Sequence, residues 1–174
     1  MQEGLRIVGI DPGLANCGWG LVAVQGGKLK PLAYGTIATK ASEELPLRLA
    51  SIYDELAGVI VKYAPTELSI ETIYHKGNPS SSIATAQARG VALVAAARRS
   101  LVVHEYAPAA IKKAVVGNGA ASKQQVQFMV RGILELDHTP QPDHAADALA
   151  AAICHAHLRG YNTLMAQAKI KNGS

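Results

Sequence analysis

The chain has only two cysteines, no apolar run of membrane length, no export signal near its N-terminus and no strong excess of either charge. Each shortage removes a class of protein. Cys17 and Cys154 are too few and too isolated for a disulfide framework or a zinc ribbon, and both lie in apolar segments where a buried, reduced thiol is expected. No stretch approaches the ~20 apolar residues needed to cross a bilayer, and no N-terminal segment runs basic, apolar and then small in the manner of a signal peptide. A membrane role is not expected, and the reducing cytoplasm is. Nothing in the composition divides the 174 residues, a length that suits one domain with a substantial core. The net charge of +4 favours a polyanionic partner only modestly, but its distribution is lopsided. Residues 1–75 hold six Lys/Arg against eight Asp/Glu, and residues 76–174 hold eleven against five.

Against these absences stands a clear order of elements. Residues 5–11, 17–25 and 29–39 read as three strands of an antiparallel meander, punctuated by Asp11-Pro12-Gly13 and by the turn signal Gln25-Gly26-Gly27. From Ser42 to Tyr63 the period becomes helical, with Leu45, Leu49, Ile52, Leu56, Val59 and Ile60 at three- and four-residue steps; Ala64-Pro65 ends it and releases a short strand at 67–71. A further strand is expected at 101–106, with helices at about 81–99, 108–116, 122–136 and 142–158. Strands first and helices interleaved later predict an α/β fold, a mixed five-stranded sheet flanked by helices. Residues 1–158 are expected to form one domain, and 159–174, with Lys169 and Lys171 but no core pattern, a basic mobile tail.

Four positions concentrate the chemistry. Asp11 closes the apolar run Leu5 to Asp11 and Glu71 closes Leu68-Ser69-Ile70-Glu71, so two short strands each finish in a carboxylate. His144 and Asp147 are three apart in the Ala-rich stretch 143–150 and share a helix face. Asp143, four residues before Asp147, shares that face too, and spacing does not choose between Asp143 and His144. Singly, an Asp after a strand is most often a turn and an Asp in a helix is most often solvated. Together, buried acids demand compensation, and a divalent cation such as Mg²⁺ is the usual oxygen-coordinated one.

These residues and their surroundings resemble the RuvC family of Holliday-junction resolvases, the crossover junction endodeoxyribonucleases of bacteria. The resemblance spans nearly the whole chain, through Gly9-Ile10-Asp11-Pro12-Gly13, Ile70 to Tyr74, Gln87 to Val91, Lys112 to Gly119 and Ala145 to Ala150. It implies an RNase H-like fold and paired, symmetric, metal-dependent nicks in four-way DNA junctions, leaving 5′-phosphate and 3′-hydroxyl ends, in homologous recombination and DNA repair. The implied site is Asp11, Glu71, His144 and Asp147 around two Mg²⁺ ions, with Mn²⁺ able to substitute and Asp11 as bridge. The family register prefers His144 over Asp143; many relatives have Asp at that position and some have His, an imidazole that suits Mn²⁺ or proton transfer.

Lys112 and Lys123 match basic positions near the active site of relatives, where an ammonium meets the scissile phosphate, and both are also expected to contact DNA with Lys113 and Lys76. Lys113, Lys76, Arg98, Arg99 and Arg131 are less specific and fit phosphate contacts or solvated faces equally. Tyr74 matches an aromatic that relatives point at the junction centre, where stacking on a base contributes about 1–3 kcal/mol. Relatives pair through the region of residues 81–99, so the implied partners are junction DNA, a second copy and the RuvAB branch-migration complex. Two competing functions are an actin-like phosphotransfer protein, which shares the Gly-Ile-Asp-Pro-Gly hairpin but repeats its sheet in two domains, and a non-catalytic junction-binding module, which needs no metal ligands.

Overall fold

The computed structural model describes residues 4–72 and 79–172, the last twelve of these as backbone. The described residues hold strands β1 (Leu5–Asp11), β2 (Asn16–Gln25), β3 (Lys28–Ala38), β4 (Glu67–Glu71) and β5 (Val102–Tyr106). Helices α1 (Leu45–Tyr63), α2 (Pro79–Ala97), α3 (Pro108–Val116), α4 (Lys123–Ile133) and α5 (Asp143–Asn172) complete them. The sheet order is β3-β2-β1-β4-β5, antiparallel across β1, β2 and β3 and parallel across β1, β4 and β5.

The meander arises where Gly26 and Gly27, at φ 57° and 80°, turn β2 into β3 through a left-handed pair that only a residue without a side chain adopts freely. Between Leu21 and Val22 the β2–β3 register shifts, so that Leu32 is left over and Pro31 faces Val22 in the edge strand. The α1 helix begins at Leu45, the first of its apolar positions and three residues after the expected start at Ser42, with Pro46 in the first turn where its missing N–H is no loss.

Each face of the sheet carries its own core. Val8, Ile10, Leu21, Ile37, Leu68 and Ile70 pack with Ile52, Leu56 and Ile60 of α1 and with Ala88, Ala92, Ala95 and Ala96 of α2. Ile7 and Val22 face the other way and pack with Ile111, Val115, Val126, Val130, Leu149 and Ile153 of α3, α4 and α5. Cys17 and Cys154 are buried, one in each core, and burial pushes both thiols up to about 12. This five-stranded sheet between helical layers is the RNase H-like fold.

The α5 helix lies unusually close to the sheet. A Cβ built on Gly9 would stand 1.9 Å from the Ala148 carbonyl oxygen, one on Gly18 2.0 Å from that of His144, and one on Gly20 2.6 Å from Leu149. Glycine at these positions is what lets the helix backbone touch the strands. One expectation needs correcting: α5 continues to Asn172, so residues 159–172 are helical where a tail without an element was expected. Leu164, Met165, Ala166, Gln167, Ala168 and Lys169 are strong helix formers, and their propensity favours the extension of the helix.

Candidate active site

The parallel pairing of β1 with β4 puts Ile7 beside Glu67, Gly9 beside Ser69, and, one step past the last paired residues, Asp11 beside Glu71. Alternation along the strands sends Ile7, Gly9 and Asp11, and likewise Glu67, Ser69 and Glu71, toward α5. Ser69 donates its hydroxyl to the Ala151 carbonyl at 2.7 Å, which fixes the height of α5 on β4. His144 and Asp147 then come down over Asp11 and Glu71 from the first turn and a half of the helix.

Within this arrangement Nδ1 of His144 donates to Oδ2 of Asp11 at 2.8 Å. Ligand atoms of Asp11, His144 and Asp147 lie within 4.8 Å of one another, a span that one cation can gather. Glu71 is outside that triple but close enough for both Asp11 and Asp147 to act on it. Burial first, then those two negative charges, push Glu71 up to about 7, with Lys112 pulling the other way. Asp147 is raised as well, by burial and by Asp11, against the hydrogen bond and charge of Lys123. His144 is raised chiefly by its bond to Asp11. Glu71 and Asp147 hold protons above their usual range even with Lys112 and Lys123 beside them, and a divalent cation fits that remaining deficit of positive charge and the oxygen-rich donors.

Asp143 goes elsewhere. Its Oδ2 is 3.4 Å from Nζ of Lys123, which also reaches Oδ2 of Asp147 at 3.0 Å. Burial disfavours the Lys123 charge, but its bonds to Asp147 and Asp143 outweigh that and hold the ammonium above the ordinary lysine range. Lys123 is the first residue of α4, fixed by a capping box: Ser122 accepts from the Gln125 N–H at 3.2 Å, and the Ser122 N–H donates to the Gln125 side chain at 2.8 Å. Lys112, from α3, joins Glu71, Lys123 and Asp147 in lining a cavity of about 320 Å³. Lys113 is the next residue of α3 and is exposed, about 100° round the helix from Lys112.

Tyr74 and Lys76 lie outside the described residues. Arg98 and Arg99 are exposed at the end of α2, and Arg131 donates Nε to the Leu136 carbonyl at 3.3 Å, serving the end of α4. A second polar group escapes any reading of linear spacing: Glu67, His104 and His155 meet at the other end of β4, brought together only by strand pairing and the rise of α5. The one available signal was Glu67, two strand periods before Glu71 and hence on the same face.

Residues 7–155 match the sequence profile of the family described as crossover junction endodeoxyribonuclease RuvC. The protein of that name from Syntrophomonas wolfei is 46% identical over 169 residues, 97% of this chain and 98% of the relative. That from Heliobacterium modesticaldum is 51% identical over 151 residues, 87% of this chain and 93% of the relative. The solved structure of Thermus thermophilus RuvC in complex with Holliday junction substrate superposes with a TM-score of 0.87 at 34% identity, covering 91% of this chain and 97% of that one.

Proposed function

This chain belongs to the RuvC family of crossover junction endodeoxyribonucleases, and we propose that it resolves Holliday junctions by paired symmetric nicks in homologous recombination and DNA repair. The observation that supports this most directly is the meeting of Asp11, His144 and Asp147 within 4.8 Å, beside a Glu71 that both aspartates perturb. An isolated DNA-binding surface has no use for such crowding.

The residues that would hold the metal are Asp11, Glu71, His144 and Asp147, for Mg²⁺ or, by substitution, Mn²⁺. Bound there, the ions supply activation of the attacking water and stabilisation of the leaving 3′-oxygen, which gives 5′-phosphate and 3′-hydroxyl ends. Everything else falls to the protein. His144 orients the Asp11 carboxylate through its 2.8 Å bond, fixing which lone pairs face inward. Lys112 offsets the charge of Glu71, and Lys123, on its capped helix start, neutralises Asp147 and offers an ammonium to the scissile phosphate. Lys113 and Lys76 are proposed to position the DNA backbone, and Tyr74 to stack on an unpaired base at the junction centre.

Resolution needs two strands of like polarity cut, so a symmetric homodimer is proposed, paired through α2. Supporting this, Ile83 and Val94 on α2 are exposed large hydrophobics, and an open groove of about 420 Å³ between α1 and α2 is lined by Tyr53, Gly90, Val91 and Val94. RuvAB is the proposed branch-migration partner and the bacterial cytoplasm the proposed compartment. Residues 1–158 are proposed as the nuclease domain and 159–174 as a basic appendage.

The test is nicking of a synthetic four-way junction with and without Mg²⁺, by the parent chain and by Asp11→Asn and Glu71→Gln. The expected result is Mg²⁺-dependent paired nicks by the parent, and none by either variant although both still bind the junction in preference to duplex. Cleavage at parental rate in either variant would sink the assignment of the site.

A further inference from the structure

Glu67 lies about 13 Å from Glu71, at the opposite end of β4, since a strand rises ~3.3 Å per residue over the four steps from one to the other, and His104 and His155 gather on it. Their ligand atoms all lie within 4.8 Å of one another. His104 and Glu67 are on the paired strands β5 and β4, and His155 descends from the fourth turn of α5, eight residues beyond Asp147. The two imidazoles are stacked, with ring centroids 4.0 Å apart and planes inclined by 24°, so both present Nε2 to the Glu67 carboxylate. Nε2 of His104 is 3.5 Å from Oε2 of Glu67. Around a tetrahedral ion with bonds of about 2.0–2.1 Å, neighbouring ligand atoms stand ~3.3 Å apart, so the His104 spacing already suits an ion, while Nε2 of His155, hydrogen-bonded directly to the same Oε2, must release its proton and draw back to admit one.

We propose that Glu67, His104 and His155 form a second, structural metal site, for a nitrogen-preferring divalent transition ion of the Zn²⁺ class. Two imidazoles and one carboxylate are the donor set that such an ion prefers and that Mg²⁺ does not. The outer partners of a metal site are also in place. Oε1 of Glu67 accepts from Nε of Arg159 at 3.0 Å, leaving Oε2 to face the imidazoles. Nδ1 of His155 is 2.7 Å from the Tyr106 hydroxyl, which accepts the ring proton once Nε2 is bound. The imidazole stays neutral, its proton moving from Nε2 to Nδ1. His155 is 1% exposed and fixed by packing, whereas the His104 side chain is 35% exposed and gives the ion a way in.

The experiment uses the full chain carrying Asp11→Asn and Asp147→Asn, which disables the nuclease site and leaves the second cluster untouched. After chelator treatment, Co²⁺ is added as a spectroscopic probe and Zn²⁺ in parallel melts. The expected result is one equivalent of Co²⁺ bound with the visible absorption of a four- or five-coordinate site, displaced by Zn²⁺, and a higher melting temperature with Zn²⁺. His104→Asn, at the accessible ligand, should weaken Zn²⁺ binding by at least on the order of 100-fold, and Tyr106→Phe by about 10-fold. No visible absorption in the chain with an intact cluster overturns the proposal and leaves a hydrogen-bonded clamp in its place. Unchanged binding in a folded His104→Asn overturns it equally, and for that variant folding is read from its own far-ultraviolet dichroism. Should it not fold, Glu67→Gln answers the same question, and full Co²⁺ absorption in both variants would locate the ion elsewhere.

Discussion

Three carboxylates and an imidazole confined to one small volume repel each other as well as coordinate, and that tension has a pH signature. Glu71, Asp147 and His144 all hold their protons more tightly in the folded chain than in the unfolded one. Stability from such groups is complete below the unfolded value and is lost as pH rises through the folded one; for Glu71 that window runs from 4.5 to about 7. Glu67 and His155 shift the opposite way, but from ordinary values of 4.5 and 6.5 downward, so they act in more acidic solution. Calorimetry of the cation-free chain should therefore give a lower melting temperature at pH 8 than at pH 6.5, and saturating Mg²⁺ should remove most of the difference. Glu71→Gln should likewise melt higher than the parent at pH 8 without Mg²⁺, while being inactive. A parent that melts no lower at pH 8 would contradict this account of the crowding. For the imidazole, His144→Ala should slow junction nicking by on the order of 100-fold, the cost of losing a group that orients a metal ligand. His144→Asp should keep activity and favour Mg²⁺ over Mn²⁺, and Asp143→Asn, which only loosens Lys123, should be mild. The reverse ranking of the two positions would move the site one residue along α5. That Asp11 closes a strand and that Asp147 shares a helix face with a neighbour one turn back follows from period alone; that the neighbour is His144 was implied only by the family resemblance. Spacing left Asp143 and His144 equivalent, at about 40° and 60° from Asp147 on either side; tertiary contacts separate them, sending His144 to Asp11 and Asp143 to Lys123.

Among the elements, α5 and β4 match each other step for step. Glu71, Ser69 and Glu67 recur every two residues along the strand, about 6.6 Å, while Asp147, Ala151 and His155 recur every four along the helix, about 6.0 Å. The two elements thus meet rung on rung, with the Ser69 to Ala151 bond in the middle and a polar group at either end. The rungs depend on the glycines below them. Gly9→Ala forces a methyl group against the Ala148 oxygen at 1.9 Å and the Ala152 nitrogen at 2.7 Å, both backbone atoms that cannot rotate away. Overpacking of a tight core costs about 1–3 kcal/mol or more, so chemical denaturation should reveal a loss of that size together with loss of nicking, because α5 is lifted from Asp11. A Gly9→Ala chain with parental stability and activity would disprove the close approach. Element types and order were largely legible in the sequence, since alternation and helical period are strong here. The reach of α5 past residue 158 was not, because its apolar positions Tyr161, Leu164, Met165 and Ala168 are set among polar residues and read as lying beyond the core.

For the whole molecule, the proposed pairing through α2 can be separated from folding. A Cβ added at Gly90 meets nothing within 4 Å of its own protomer. Gly90→Glu improves helix propensity by up to about 1 kcal/mol and places a charge in the apolar groove. The variant should melt at or above the parental temperature, sediment as a monomer, and nick junctions on one strand without coordinating the second cut. A variant that still sediments as a dimer would place the interface elsewhere.

The leftover Leu32 and the proline beside it bear on a different hazard. As the edge of the sheet, β3 is eleven residues long and would offer an unpaired row of backbone donors and acceptors to any passing extended chain. Pro31 has no N–H to offer, the register shift at Leu32 spoils the regular spacing, and Lys28 and Lys30 add repelling charge. The opposite edge, β5, is only five residues long. Edge-to-edge joining of one sheet to another, the route to continuous intermolecular sheets, is thus obstructed at both margins.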